Sequence, residues 1–242
     1  MRIRNAIAFV TGANRGLGLA FAQELLAVGA QKVYAAARDP ECITLDGVGR
    51  VRLDVTKPDS IAAAASECTD VNLLINNAGI SLRSGFLSPH AVEAARSEME
   101  TNYFGPLALS RAFAPVLAKN GGGAIVNILS VLSWVTIPSS GTYSASKAAV
   151  WAQTNWLRTG LREQGTHVMG VHVGPIDTDM ASQLTLPKVK PVDVVRQVLS
   201  AIEAGRDEVL ADDMTRQVKA GLSDEAGIYL NYDLERTVAA VT

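Results

Sequence analysis

The sequence predicts an α/β fold, in which helices cover both faces of a parallel sheet of about seven strands. Short apolar runs alternate with longer Ala- and Leu-rich runs along almost the whole chain, as in βαβ units. The short runs are continuously apolar, which is typical of strands buried on both faces. The 242 residues, 48% of them hydrophobic, suit one domain, and no repeat or linker divides them.

The first part of the chain holds four predicted strands and three predicted helices. β-Branched and aromatic residues favour strands in "AIAFVTG" and "KVYAAAR". The Ala- and Leu-rich "LGLAFAQELLAVGA" is typical of a helix that ends at Gly29. In order, the predicted strands are 6–12, 32–38, 51–55 and 71–79, and the predicted helices are 17–30, about 60–67 and about 93–119.

The remainder continues the alternation with three more strands. "GAIVNILS", "HVMGVHVG" and "EVLAD" predict strands over 123–130, 167–174 and 208–212. The intervening helices are predicted over 144–165 and 191–204. Residues 213–242 form a polar tail to which the sequence assigns no structure, and we treat residues 1–242 as a single domain.

Composition excludes several classes of function. A net charge of −2 argues against a nucleic-acid partner or an anionic membrane surface. Cys42 and Cys68 are too few for a disulfide scaffold and lack C-x-x-C metal spacing, so we expect free thiols in a reducing compartment and no metal. The apolar run near the N-terminus is too short for a signal peptide, and none is long enough to span a bilayer. We expect a cytoplasmic protein.

A glycine-rich turn, "TGANRGLG", joins the first predicted strand to the first predicted helix. Gly12 permits the turn, while Gly16 and Gly18 let a phosphate approach the backbone and the helix pack on the sheet. The unpaired N–H groups of the helix N-terminus suit a pyrophosphate. We therefore predict dinucleotide binding, against the alternative of a connector without function. The cofactor residues predicted here are Gly12, Asn14, Arg15, Gly16, Leu17 and Gly18.

These glycines and the motifs that follow them resemble those of the classical short-chain dehydrogenase/reductase family. "TGANRGLG" matches the family's T-G-x-x-x-G-x-G, and "NNAG" at 76–79 matches the motif that closes its fourth strand. Asn102 matches its helical asparagine, and Ser130, Tyr143 and Lys147 match its serine with Y-x-x-x-K. The resemblance runs from about residue 6 to 212. It implies a Rossmann-like, doubly wound fold and a nicotinamide cofactor.

The resemblance also implies how the cofactor is held. Asp54 meets the adenine ring, the backbone at 77–79 lies along the adenosine ribose, and Thr178 holds the nicotinamide carboxamide. Taken alone, Asp54 would be an ordinary strand-end carboxylate. The sequence departs from the family where Val173-Gly174-Pro175 replaces the usual Pro-Gly. The residues assigned to this part are Asp54, Val55, Asn77, Ala78, Gly79, Pro175, Ile176 and Thr178, together with Tyr143 and Lys147.

Tyr143 and Lys147 are four residues apart on a predicted helix and therefore share one face. A surface Tyr beside a surface Lys is the alternative when the pair is considered alone. An ammonium one turn away favours phenolate and should lower the pKa of Tyr143, making it a general acid–base. Ser130 would polarise the same substrate oxygen. By resemblance, Lys147 also holds the nicotinamide ribose, and Asn102 supports a water that links Lys147 to solvent.

Other candidate groups are weaker. Ser133, Ser139 and Ser140 are predicted to be loop residues, whereas Ser130 ends a strand where ligands gather in such sheets. His172 lies inside a predicted strand and is expected to be packed, and the carboxylates at 207–213 are interpreted as a solvated surface. An apolar substrate lining is expected from Leu82, Phe86, Trp134 and Val135, with core packing as the alternative for each.

The predicted function is an NADPH-dependent carbonyl reductase or alcohol dehydrogenase. The second interpretation is a non-catalytic NADP(H)-binding redox sensor, and a sugar epimerase or dehydratase is disfavoured by chain length and glycine spacing. NADP(H) is preferred because Ala37 stands where NAD enzymes place an acidic residue, followed by Arg38, with Arg15 opposite. A homodimer or homotetramer packed through helices 93–119 and 144–165 is expected.

Overall fold

The computed structural model describes residues 1–230 and residue 232. A parallel sheet of seven strands, in the order β3-β2-β1-β4-β5-β6-β7, lies at its centre. The strands are β1 Ile7–Thr11, β2 Lys32–Ala37, β3 Gly49–Arg52, β4 Leu73–Asn76, β5 Gly123–Ile128, β6 Thr166–His172 and β7 Glu208–Leu210. The predicted α/β fold with a doubly wound sheet is confirmed.

Seven α-helices flank the sheet in the described residues. They are α1 Gly16–Ala27, α2 Pro58–Glu67, α3 Ala91–Met99, α4 Gly105–Lys119, α5 Gly141–Gly160, α6 Pro191–Glu203 and α7 Asp213–Ala220. Apolar residues of α1 and α6 pack on one face of the sheet, and those of α2, α4 and α5 pack on the other. A π-helical turn, Glu100–Phe104, joins α3 to α4.

The strands are continuously apolar because both faces of the sheet are covered. In β1, Ala8 and Val10 belong to one apolar core, whereas Phe9, between them, belongs to the other. Successive side chains of a strand point to opposite faces, so a strand with two covered faces has no polar side. All three residues are fully buried.

The structure corrects the boundaries of several predicted elements, among them β3 and α5. β3 begins at Gly49 and ends at Arg52, so Asp54 lies in the turn that follows rather than in a strand. This edge strand has two arginines pointing outward, which weakens its apolar signal. α5 ends at Gly160 instead of 165, and the turn that follows reaches Gly165 at a φ of +76°.

Part of the polar tail is helical. Asp212 caps α7 by accepting the Thr215 N–H at 2.8 Å, and Met214 and Val218 turn one apolar side toward residues 131–135. The two apolar residues are four positions apart, and the polar residues around them hide the helical pattern in the sequence. Of the rest of the tail, residues 231 and 233–242 lie outside the described part.

The strand order creates the crevice that positions the site. The chain runs outward from β1 to β3 and then returns to the other side of β1 as β4, so the helices that follow β1 and β4 pack on opposite faces of the sheet. Ligands of open α/β sheets bind at the carboxyl ends of the strands at such a switch point. No helix in the described part is long and apolar enough to cross a membrane.

Candidate active site

A cleft of about 1020 Å³ opens at this switch point, along the carboxyl ends of the central strands. Seventeen of the nineteen predicted site residues line it. Residues predicted for the site that line it are Gly12, Asn14, Arg15, Gly16, Leu17, Arg38, Asp54, Val55, Asn77, Ala78, Gly79, Ser130, Tyr143, Lys147, Pro175, Ile176 and Thr178. Gly18 and Asn102 lie behind this wall.

The glycine turn lines the cleft at the carboxyl end of β1. Gly12 and Gly16 have φ values of +65° and +56°, in the left-handed region that favours glycine. A Cβ added to Gly18 would lie 2.2 Å from the Gly12 carbonyl oxygen, so only glycine allows α1 to pack this closely on the turn. α1 begins at Gly16 without a side-chain cap, which leaves its first N–H groups for a ligand. This cradle fits the pyrophosphate of a dinucleotide.

The loops after β1 and β4 are tied together by Thr11 and Asn77. The Thr11 hydroxyl accepts hydrogen bonds from the N–H groups of Asn77 and Ala78, both at 2.9 Å. The Asn77 amide donates to the Thr11 carbonyl at 2.8 Å. These bonds hold residues 77–79 along the cleft, where the adenosine ribose was predicted to lie.

Two arginines line the cleft near the ends of β1 and β2. Arg38 follows β2 directly and is exposed, and Ala37 before it is buried. Arg15 is also exposed, and its Nη1 forms a 3.2 Å salt bridge with Asp179, which lines the same cleft. Asp54 accepts hydrogen bonds from the N–H and hydroxyl of Thr56, which lower the pKa of its carboxyl group.

Tyr143 and Lys147 lie on one side of α5, toward the end of β5. The Lys147 Nζ donates a 2.8 Å hydrogen bond to the Ile128 carbonyl and lies 5.7 Å from the centroid of the Tyr143 ring. Ser130 hydrogen-bonds the Tyr143 phenol, and its own Oγ accepts the Leu132 N–H at 3.1 Å. The predicted serine, tyrosine and lysine therefore lie together.

The prediction that Lys147 lowers the pKa of Tyr143 is wrong for this structure. Burial raises the pKa of the Tyr143 phenol, and the hydrogen bond from Ser130 offsets this only in part. Burial also lowers the pKa of Lys147 to about 8. The Lys147 ammonium donates its hydrogen bond to the Ile128 carbonyl, and burial of the phenol has the largest effect on the pKa of Tyr143.

Asn102 lies on the π-helical turn behind Lys147. Its Oδ1 accepts the Ile80 N–H at 2.8 Å, and its Nδ2 donates to the Ile80 carbonyl and the Ser146 hydroxyl, both at 2.9 Å. A Cβ added to Gly79 would lie 3.1 Å from Asn102 Oδ1 and 3.8 Å from Lys147 Nζ. π-Turns are frequent at functional sites, and this one directs Asn102 toward the lysine.

The structure separates Ser130 from the competing Ser133. Ser133 is buried outside the cleft, and its Oγ accepts the Ser130 N–H at 3.3 Å. His172 is fully buried as expected, stacked on Trp134 at 3.7 Å, but its Nδ1 also lies 3.2 Å from the Ser130 carbonyl oxygen. Both residues support the segment that carries Ser130.

Two expectations about this region are wrong. Trp134 and Val135 do not line the cleft; they pack with α7, while Leu82 does line it and Phe86 is largely exposed. The carboxylates at 207–213 are not all a solvated surface. Asp212 accepts the Gly174 N–H at 2.7 Å and so fixes the turn where the sequence departs from Pro-Gly.

Glu208 is the second carboxylate of that group with a structural role. It forms a 3.1 Å salt bridge with Lys219 and lies 3.4 Å from the His172 imidazole, outside hydrogen-bond geometry. These contacts join elements distant in sequence, so no local signal predicted them. Within the described residues, no group of three or more His, Cys, Asp or Glu side chains could hold a metal ion.

A doubly wound sheet with a glycine cradle and a Ser-Tyr-Lys cluster on one cleft defines a dinucleotide-dependent oxidoreductase. The model of the short chain dehydrogenase family matches residues 6–188, and the chain belongs to that family. It is 31% identical to dehydrogenase/reductase SDR family member 7B of Danio rerio, over 94% of this chain and 81% of that protein. It is 33% identical to the 3-oxoacyl-[acyl-carrier-protein] reductase FabG of Vibrio cholerae, over 76% and 79%.

Solved structures agree with this assignment. A short chain dehydrogenase from Burkholderia cenocepacia, in complex with NADP, is similar with 44% identity and a TM-score of 0.89, over 93% of this chain and 95% of that one. A short chain dehydrogenase/reductase from Burkholderia phymatum, in complex with NAD, is similar with 25% identity and a TM-score of 0.82, over 96% and 97%.

Proposed function

We propose that this protein is an NADP(H)-dependent carbonyl reductase and alcohol dehydrogenase, in which Tyr143 is the general acid and base. The observation that carries the proposal is the cluster of Ser130, Tyr143 and Lys147 on the wall of the cleft that the glycine turn closes. A redox sensor without catalysis would not need these three groups together.

The chain's own residues have distinct tasks in this reaction. A bound nicotinamide would supply or accept the hydride. Tyr143 donates its proton to the substrate oxygen in reduction and accepts one from the alcohol in oxidation. The Ser130 hydroxyl hydrogen-bonds the same oxygen and stabilises the charge that develops on it. Lys147 supports the phenol electrostatically, and Asn102 fixes the wall beside Lys147.

NADP(H) is proposed as the cofactor because of the adenosine end of the cleft. Arg38 lines it directly after the buried Ala37, and Arg15 lines it from the glycine turn. Guanidinium groups bind a 2′-phosphate through charge-assisted hydrogen bonds. The NADP complex of the Burkholderia cenocepacia relative supports this choice, whereas the NAD complex of the other relative makes a direct test necessary.

The proposal extends to assembly and location. Trp156 on α5 and Phe104, the last residue of the π-helical turn before α4, are 67% and 47% exposed, which supports a homodimer or homotetramer formed through these helices. Cys42 is an exposed free thiol, which supports a reducing compartment such as the cytoplasm.

Loss of nicotinamide absorbance with a panel of ketones and aldehydes tests the proposed activity. We expect NADPH to be consumed with at least one carbonyl compound, and NADP⁺ to be reduced with the matching alcohol. Tight NADPH binding without turnover across the whole panel would instead favour the sensor.

A further inference from the structure

Glu98 is a buried carboxylate that the proposed reaction does not use. Its side chain on α3 is fully buried. Oε1 accepts the Leu82 N–H at 2.7 Å, whereas Oε2 has no hydrogen-bond partner in the described part of the chain. Burying a carboxylate is costly unless it is paired, so its presence needs a reason.

Glu98 and Asn102 hold one wall of the cleft from the same helical stretch. They are four residues apart, and they bind alternate residues of the segment 80–82, Asn102 at Ile80 and Glu98 at Leu82. All three residues of this segment line the cleft. The 2.7 Å distance at Leu82 is typical of a charge-assisted hydrogen bond.

The same wall is attached to the helix that carries the phenol. The Ser84 carbonyl accepts hydrogen bonds from the Thr142 N–H at 3.2 Å and from its hydroxyl at 3.1 Å. α3 also packs against α5. Glu98 and Tyr143 therefore lie on two helices that pack against each other, and the negative charge of Glu98 raises the pKa of the phenol, in addition to the larger effect of burial.

We propose that Glu98 is a positioning residue of the proposed reaction, which holds the cleft wall at Leu82 and keeps Tyr143 in its proton-donating form. A glutamine would supply the same acceptor to Leu82 without burying a charge. The negative charge of Glu98 gives a reason for a carboxylate at this position, because the charge opposes the ionisation of Tyr143. The phenol can then protonate a carbonyl oxygen up to a higher pH.

Lys147 and His172 are the other titratable side chains close to Tyr143 and Ser130, and each lies on a different element from Glu98. Lys147 lies on the same helix as Tyr143, with its Nζ 5.7 Å from the centroid of the Tyr143 ring, whereas Glu98 lies on α3. His172 lies on β6 behind the Ser130 carbonyl, and burial lowers its pKa, which keeps it neutral at neutral pH. Both residues are unchanged in E98Q, so a difference between the pH profiles of E98Q and the wild type is due to Glu98.

The inference rests on the proposed function and is tested by the pH profile of alcohol oxidation, which requires phenolate. We expect E98Q to move the rise of the profile about one pH unit lower, so that oxidation on the rising limb is about tenfold faster than in the wild type. E93Q removes a charge from the exposed side of the same helix and should leave the profile unchanged. Coincident wild-type and E98Q profiles would overturn the inference.

Phenolate absorbance gives a readout that needs no turnover. Subtracting the absorbance titration of the E98Q/Y143F double variant from that of E98Q gives the titration of Tyr143 in E98Q, and subtracting that of Y143F from the wild type gives it in the presence of Glu98. We expect Tyr143 to ionise at lower pH in E98Q, and equal titrations overturn the inference. If E98Q does not fold, E98D keeps the charge and must retain the wild-type profile. A wild-type protein that turns over no substrate contradicts the proposed function, whereas an active protein with unmoved profiles contradicts only the role of Glu98.

Discussion

The Lys147 ammonium is held by the carbonyl of Ile128, 2.8 Å away. This bond ties α5 to the end of β5 and fixes the ammonium 5.7 Å from the centroid of the Tyr143 ring. The lysine is thus positioned by the sheet before any ligand binds. It is also 5% exposed, so its charge acts in a medium that screens poorly.

Replacing Tyr143 by Phe removes the proposed proton donor and keeps the shape of the ring. We expect turnover to fall at least about a hundredfold, as for loss of general acid catalysis, with NADPH affinity nearly unchanged. Steady-state kinetics and a fluorescence titration of NADPH measure the two effects. A Phe variant with most of its activity would show that another group supplies the proton.

Ser130→Ala and Ser133→Ala form a matched pair on one turn. The Ser130 hydroxyl faces the cleft, whereas Ser133 is buried and accepts the Ser130 N–H. We expect about a hundredfold loss of turnover for Ser130→Ala, as for an oxyanion donor, and a clearly smaller loss for Ser133→Ala. The reverse order of kcat values would transfer the catalytic role to Ser133.

Local patterns predicted most of the fold and of the cleft. The apolar alternation predicts each strand because both faces of the sheet are buried, and the glycine turn is readable because its φ values need glycine. Asp212 and Glu98 were missed because their partners, Gly174 and Leu82, are distant in sequence. The pKa of Tyr143 depends on burial, which a spacing of four residues does not encode.

Lys147→Met should stabilise the protein at neutral pH. Burial lowers the pKa of Lys147 from 10.5 to about 8, so the unfolded chain binds more protons between these pH values and wild-type stability rises with pH across that window. The buried charge costs roughly 3 kcal/mol below pH 8, and losing the bond to Ile128 costs about 1 kcal/mol.

The expected net gain is about 2 kcal/mol in the free energy of unfolding at pH 7. It falls as the pH rises from 8 toward 10.5, and above that range the variant should be about 1 kcal/mol less stable than the wild type, because only the lost hydrogen bond remains. Urea unfolding at several pH values measures it, with Lys119→Met, on the exposed end of α4, as the control. A gain that did not change with pH would show that desolvation of Lys147 is not its cause.

Trp156 tests the proposed assembly. It is 67% exposed on α5, and a large apolar side chain in that position suits an interface between subunits. Trp156→Glu should shift the mass measured by light scattering toward the monomer, because a buried unpaired charge opposes association. A wild-type protein that is monomeric at micromolar concentration would contradict the proposal before any variant is made.

The choice of cofactor is tested at the end of β2. Arg38 lines the cleft there and is exposed, so it is available to a 2′-phosphate. Arg38→Ala should raise the KM for NADPH about tenfold to a hundredfold, as for loss of a hydrogen bond to a charged group, and leave that for NADH roughly unchanged. Ala37→Asp should shift preference toward NADH by repelling the phosphate and accepting bonds from a free 2′-hydroxyl. Arg15 is a more complex case, because its salt bridge with Asp179 competes with the phosphate. A wild-type protein that prefers NADH would refute the assignment, and equal effects of Arg38→Ala on both cofactors would show that Arg38 does not read the phosphate.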